Sequence, residues 1–92
     1  MPIGIRALPD GGLLFQDRER DVLVYRRGRQ GTLFEIPYTL ASQQHVLQPA
    51  VRVVGELGQE LSSEQAQGVL NEILAHLKDL SVVAWRGPGL QE

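Results

Sequence analysis

Residues 62–77 read SSEQAQGVLNEILAHL, and the fold class turns on this stretch. Ala66, Val69, Leu70, Ile73, Leu74 and Leu77 recur at spacings of three and four, which traces one apolar stripe along a helix. Ser62 with Gln65 three residues later matches a capping box, in which each side chain satisfies a free backbone group of the other. Leu61 before the cap and Ala66 after it have the spacing of a hydrophobic staple. These signals predict a helix from Ser62 or Ser63 to about Asp79. Its other face carries Gln67, Gly68, Asn71, Glu72, Ala75, Lys78 and Asp79. Gly68 there costs ~1 kcal/mol relative to alanine, and nothing else in the sequence explains it.

An amphipathic helix needs an apolar surface to cover, and the residues before it read as strands. IGIRAL (3–8) ends at Pro9-Asp10-Gly11-Gly12, whose glycines suit a tight hairpin. LLFQD (13–17), the charged link RERD (18–21) and VLVYR (22–26) follow. A second glycine-marked turn, 27–31, leads to TLFEIPY (32–38). Pro37 lacks a ladder donor, so this strand is expected to end near Ile36 or to lie at a sheet edge. Residues 39–50, TLASQQHVLQPA, show no clean period and read as a connection with at most one helical turn.

AVRVVGEL (50–57) reads as a strand with Val51 and Val53 on one side and Arg52 and Val54 on the other. SVVAWR (81–86) reads as a last strand, and 87–92 as a flexible tail. The expected fold is α+β: an antiparallel meander of about five to six short strands, covered on one face by a single C-terminal amphipathic helix followed by a last strand. A parallel crossover between 51–57 and 81–86 is one arrangement of its end, and an antiparallel one is the other.

Ninety-two residues form a single small domain, because so short a chain cannot divide its apolar residues between two cores. Hydrophobic residues make up 42% and charged residues 22%, values that suit a folded globule. The net charge of −2 argues against coating nucleic acid or an anionic membrane over the whole surface. With no cysteine, disulfides, thiolate nucleophiles and Cys-ligated zinc are excluded. The N-terminus lacks the pattern of a signal peptide, and no apolar run approaches the ~20 residues of a membrane span. A cytoplasmic protein is expected.

Catalytic chemistry has little to draw on. His45 and His76 are far apart, with no acidic neighbour at useful spacing; His76 reads as a partly buried structural residue and His45 as a plain loop or helix-end residue. Ser42 and Thr39 lack a nucleophile motif. Asp17, Glu19 and Asp21 alternate like calcium ligands, yet the intervening arginines and the missing distal glutamate break that pattern. The expectations are therefore no enzymatic activity, no cofactor and no metal.

RERDVLVYRRGRQ (18–30) holds five of the eight arginines. On a hairpin they divide, with Arg18 and Arg20 at one end and Arg26, Arg27 and Arg29 at the other. The second group forms a local basic patch able to meet a phosphate or an acidic loop. Tyr25, Phe34 and Trp85, with Phe15 nearby, supply aromatic surface if they lie on the face the helix leaves open. Arg26, Arg27, Arg29, Tyr25, Phe34 and Trp85 are thus the candidate partner-binding residues.

In general build, a curved sheet with one amphipathic helix and a following strand is similar to small bacterial inhibitors and immunity proteins. That resemblance covers architecture only; the absence of catalytic groups, the single covering helix and the surplus of apolar strand residues lead to the expectation that another protein docks on the uncovered sheet face or an edge strand, or that the chain self-associates as a homodimer. A small nucleic-acid-binding domain, using the arginine turn and sheet aromatics, is the alternative.

Overall fold

The computed structural model describes residues 3–55 and 58–84. The proposed tail at 87–92 and the strand residues Trp85 and Arg86 lie outside the described residues, as do Glu56 and Leu57. The elements run β1 (Ile5–Ala7), β2 (Leu13–Asp17), β3 (Val22–Arg26), β4 (Leu33–Ala41), β5 (Gln44–Leu47), β6 (Arg52–Val53), α1 (Ser63–His76) and β7 (Val82–Ala84). The expected α+β fold is the one observed. β1 to β5 form an antiparallel meander, β6 also pairs with β4, and β7 closes the far edge beside β5.

The turns follow from their residues. Asp10 Oδ1 accepts from the Gly12 N–H at 2.8 Å, and Gly11 takes the left-handed backbone, φ +89°, that the β1–β2 link needs. At the β3–β4 turn a Cβ on Gly31 would strike the Arg27 carbonyl, so only glycine fits without a backbone shift.

β4 departs from expectation. It neither ends near Ile36 nor lies at an edge; it continues through Pro37 to Ala41, and residues 44–47 of the expected connection form β5. Pro37 is tolerated because of where β4 changes partners. Along one edge, Phe34 and Glu35 pair with β6 while Tyr38 to Ala41 pair with β5. The Pro37 carbonyl accepts from the Gln48 N–H at 2.8 Å on that edge, at the junction between the two partners. The donor proline lacks would therefore point to where no ladder partner is required. Between Leu47 and Arg52 the second strand carries two more residues than β4 does between their partners, a bulge centred on Pro49 and Ala50. The β4–β5 link, Ser42–Gln43, has φ +50° and +68°, a tight hairpin turn made without the usual Asn or Gly.

β7 also sits elsewhere than the crossover reading placed it. It pairs in parallel with β5, His45 opposite Val82 and Leu47 opposite Ala84, and not with the strand at 51–57. β6 is occupied on its other side, where the Val53 N–H donates to the Gln59 carbonyl and the Leu61 N–H to Val51. The crossover helix therefore returns the chain to the free edge of β5.

The helix begins as the sequence predicts. The Gln65 N–H donates to Ser62 Oγ and the Ser62 N–H to Gln65 Oε1, each at 3.3 Å. It stops at His76, a turn short of Asp79, and Leu77 caps it as a buried core residue. Ala66, Val69, Leu70 and Ile73 are buried against Leu14, Leu23, Tyr25, Phe34, Ile36 and Leu47 on alternate strand positions. Val51 and Val53 turn toward this core while Arg52 and Val54 are exposed, as the strand alternation predicts. Arg6 of β1 clamps the helix end: its guanidinium donates to both Asp79 oxygens, at 2.8 and 3.1 Å, and to the His76 carbonyl at 3.1 Å. That carbonyl is one of those a helix leaves unpaired at its C-terminus.

Candidate interaction surface

The arginines divide between the two ends of the β2–β3–β4 unit, and most have partners within the chain. Arg20 links Asp17 and Glu35 at one end. At the other, Arg26 donates to the carbonyls of Gly28 (3.0 Å) and Gly11 (2.9 Å), tying two turns together. Arg27 makes a bidentate pair with Glu72 of α1, at 3.0 and 2.7 Å, and its guanidinium stands 5.1 Å from the centre of the Phe34 ring. Arg29 packs beside Gly11 and makes no side-chain hydrogen bond among the described residues. Of the three turn arginines, Arg26 and Arg27 thus serve mainly to hold the turn and the helix.

Tyr25 and Phe34 lie under the helix. Their rings stack at 6.0 Å, and the Tyr25 hydroxyl donates to Glu72 Oε1 at 2.8 Å. Burial, together with this hydrogen bond to a carboxylate, pushes the Tyr25 phenol up to about 12. Phe15 is on the opposite face, so the three aromatics do not share one platform. Trp85 falls outside the described residues.

Beside Glu72, a cleft of about 430 Å³ opens between α1 and the β4–β6 edge, with Phe34, Val53 and Val69 as apolar walls. Gly68 borders it, and a Cβ there would meet nothing within 4 Å. The helix glycine that the sequence left without a reason therefore faces open space.

The face the helix does not cover is built by the other strand positions. One row across it runs Ile5, Phe15, Val24, Glu35, Arg52; the next runs Ala7, Leu13, Arg26, Leu33; a third joins Thr39, Val46 and Val83. Val54 follows Arg52 on this face, its N–H donating to the Leu33 carbonyl at 2.8 Å. Six large apolar side chains are exposed among the described residues: Ile5, Phe15, Leu33, Leu40, Val54 and Val83. All but Leu40 lie on this face, and half-buried Leu13, Val22, Val24 and Val46 fill the space between them. Its charged groups are the linked set Asp17–Arg20–Glu35, Arg26 on β3, and the exposed Arg52, which stands between its cross-strand neighbours Glu35 and Glu60.

One feature was not legible from the sequence. His45, read as a loop residue, is buried on β5, where its ring meets Tyr38 edge-on at 5.3 Å. Gln16 Nε2 lies 2.9 Å from the Tyr38 hydroxyl and 3.3 Å from His45 Nε2, while Gln16 Oε1 accepts from the backbone of Ile3 and Gly4. Desolvation, reinforced by nearby positive charge including that of Arg18, holds the His45 imidazole below its ordinary value. The signal available in the sequence was the alternation of His45 and Leu47 with Gln44 and Val46, masked by the lack of a recognisable turn before it. Gln16 is fully committed to this network, which braces β2 against β4, β5 and the chain start.

Among the described residues no group of three or more His, Asp or Glu side chains is arranged to hold a metal ion, and no helix is long and apolar enough to cross a membrane. Comparisons with protein-family models, with curated proteins and with solved structures find no match.

Proposed function

We propose that this chain is a non-enzymatic interaction module that docks another protein through the uncovered face of its sheet, in the manner of a small bacterial inhibitor or immunity-type protein acting in the cytoplasm. The observation that supports this reading is the segregation of exposed apolar groups. Ile5, Phe15, Leu33, Val54 and Val83 share the face opposite the helix, whereas the helix exterior is polar. Contiguous exposed apolar surface with a charged rim is the usual mark of a contact site. The arginine turn contributes less than its composition suggests, because Arg26 and Arg27 are engaged within the chain. A nucleic-acid role would also have to do without Tyr25 and Phe34, which are buried.

A photo-crosslinking residue placed at Phe15, and separately at Gln67 on the exposed helix face, tests the proposal in the native host. Protein adducts formed from position 15 and not from 67, and lost on Leu33→Glu, are expected. Equal adducts from both positions, or none from 15, would refute it.

A further inference from the structure

We infer that the cleft between α1 and the β4–β6 edge is a binding site for a small uncharged molecule with an apolar body and a carbonyl oxygen at one end. This site is separate from the docking face, which lies on the other side of the sheet. Phe34 and Val69 are almost wholly buried at its base, and Val53 and Leu61 are half-buried beside them. At about 430 Å³ it has the capacity of a small-molecule pocket. The helix surface around it, with Glu64, Gln67 and Asn71, is polar and exposed. The apolar surface therefore ends at the rim of the cleft, far short of the ~800 Å² per partner that a protein interface buries. Gly68 keeps the cleft open: a larger side chain there would have room to extend over it, since a Cβ meets nothing within 4 Å. Glycine weakens the helix at this point and relieves no clash, so what it provides is the open cleft.

The polar lining identifies the chemistry of the ligand. Glu72 accepts from the Tyr25 hydroxyl at 2.8 Å and from Arg27 Nε and Nη2 at 3.0 and 2.7 Å, so its charge is balanced and most of its acceptor capacity is used. Arg27 Nη1 makes no hydrogen bond among the described residues. Gln65 Oε1 is held by the helix cap, accepting from the Ser62 N–H and Oγ, which leaves the Nε2 hydrogens without a partner among the described residues. Thr32 adds a hydroxyl. The side-chain groups left over around the cleft are thus mainly donors, while the two charged residues of its described lining, Arg27 and Glu72, cancel. A neutral acceptor satisfies both conditions. A carboxylate would add a second negative charge beside Glu72, and an ammonium would stand beside Arg27 with the Glu72 charge already matched.

Arg27 is fixed for this role from two sides, by Glu72 and by the Phe34 ring, whose centre lies 5.1 Å from the guanidinium. A donor held in place beforehand loses little side-chain entropy on binding. With its carbonyl on Arg27 Nη1, the ligand lays its body against Phe34, Val53 and Val69, where apolar surface of both is removed from water. A ligand of about 11 non-hydrogen atoms should bind with a dissociation constant of roughly a few millimolar.

Titration of the isotope-labelled full chain with 4-ethylbenzamide, followed by backbone amide chemical shifts, tests the site. Its congeners 4-ethylbenzoate and 4-ethylbenzylamine share the body and carry a negative or a positive head. The expected result is saturable shifts centred on Val53, Gly68 and Val69 with the amide, and binding about fivefold or more weaker for both charged congeners. Gly68→Leu should weaken binding about tenfold or more by occupying the cleft, while circular dichroism shows the helix intact. Gln67→Leu, on the helix exterior outside the cleft, should leave binding unchanged. No saturable shift with the amide up to about 10 mM would overturn the inference. Shifts centred away from the cleft, equal or tighter binding of either charged congener, or binding indifferent to Gly68→Leu would overturn it as well. Each of these results leaves protein adducts at position 15, on the opposite face, unaffected.

Discussion

Replacing Gly68 with alanine should make this protein more stable, by an amount that the geometry around the glycine fixes. Helix-interior glycine is worth ~0.8–1 kcal/mol less than alanine, because it loses more backbone freedom on folding and exposes more backbone to water. The substitution realises this gain only if the added methyl meets no clash. Here a Cβ at Gly68 finds no atom within 4 Å, and the residue has no positive φ to forgo. The full gain of about 1 kcal/mol is therefore expected, with no offsetting strain. For a domain of this size that is a rise in Tm of about 4–8 °C. In urea it is a rise in midpoint of ~0.5–1 M with the slope unchanged. Gly68→Val should gain roughly half as much, since a β-branched side chain gives back part of the propensity. The assay is urea denaturation followed by far-ultraviolet circular dichroism. A midpoint unchanged or lowered for Gly68→Ala, with the slope unaltered, would refute the reasoning, because it would mean that the space beside Gly68 is filled or that the backbone there is not helical.

Three further outcomes are expected. Ile73→Ala empties a fully buried position between helix and sheet and should cost ~2–5 kcal/mol in chemical denaturation, enough to leave a small domain marginal. The Tyr25 phenol, raised in the fold to about 12 against an ordinary 10, stabilises the protein below pH 10, and that contribution is lost as pH rises from 10 toward 12. Alkaline titration at the tyrosinate absorbance should show Tyr25 ionising late, and Glu72→Gln should bring its titration earlier. His45 works in the opposite sense: its folded value lies below the ordinary 6.5, so its contribution is complete above pH 6.5 and is lost as pH falls through 6.5 toward the folded value. His45→Gln should flatten the stability profile between pH 7 and 5, and an unchanged profile would remove His45 as its source.

The helix was legible in the sequence because several independent signals coincide on it: the stripe from Ala66 to Leu77, the Ser62–Gln65 box and the residues before it. The hairpins at 9–12 and 27–31 were legible because glycine marks them. The β4–β5 hairpin was not, because Ser42 and Gln43 adopt positive φ without the residues that announce it and Pro37 suggests an end. The resulting misreading of 39–50 hid both β5 and the partner of β7, since a parallel pairing depends on which edge is free once all other strands are placed. For the candidate site, residue type was visible and direction was not. Arginine at 26 and 27 reads as a basic patch until their acceptors are known, and Tyr25 and Phe34 read as surface or core equally well. What decides between them is the side of the sheet on which the helix lies, and strand alternation alone cannot supply it. Phe15 on the open face follows from the same alternation once that side is fixed.

The parallel pairing of β7 with β5 has a consequence for the order in which the chain assembles. Phe15 pairs with Val24 across nine residues, whereas His45 pairs with Val82 across 37. Closing the longer loop costs about 1.3 kcal/mol more in chain entropy, and the described part of β7 offers three residues in return. The β2–β3–β4 unit, built of local hairpins, is therefore expected to organise in the rate-limiting step, with β7 docking after it. Substitutions such as Val82→Ala should then speed unfolding and leave the folding rate nearly unchanged, while Leu23→Ala slows folding itself. In kinetic terms β7 acts as a latch: it sets how long the folded protein lasts more than how quickly it forms.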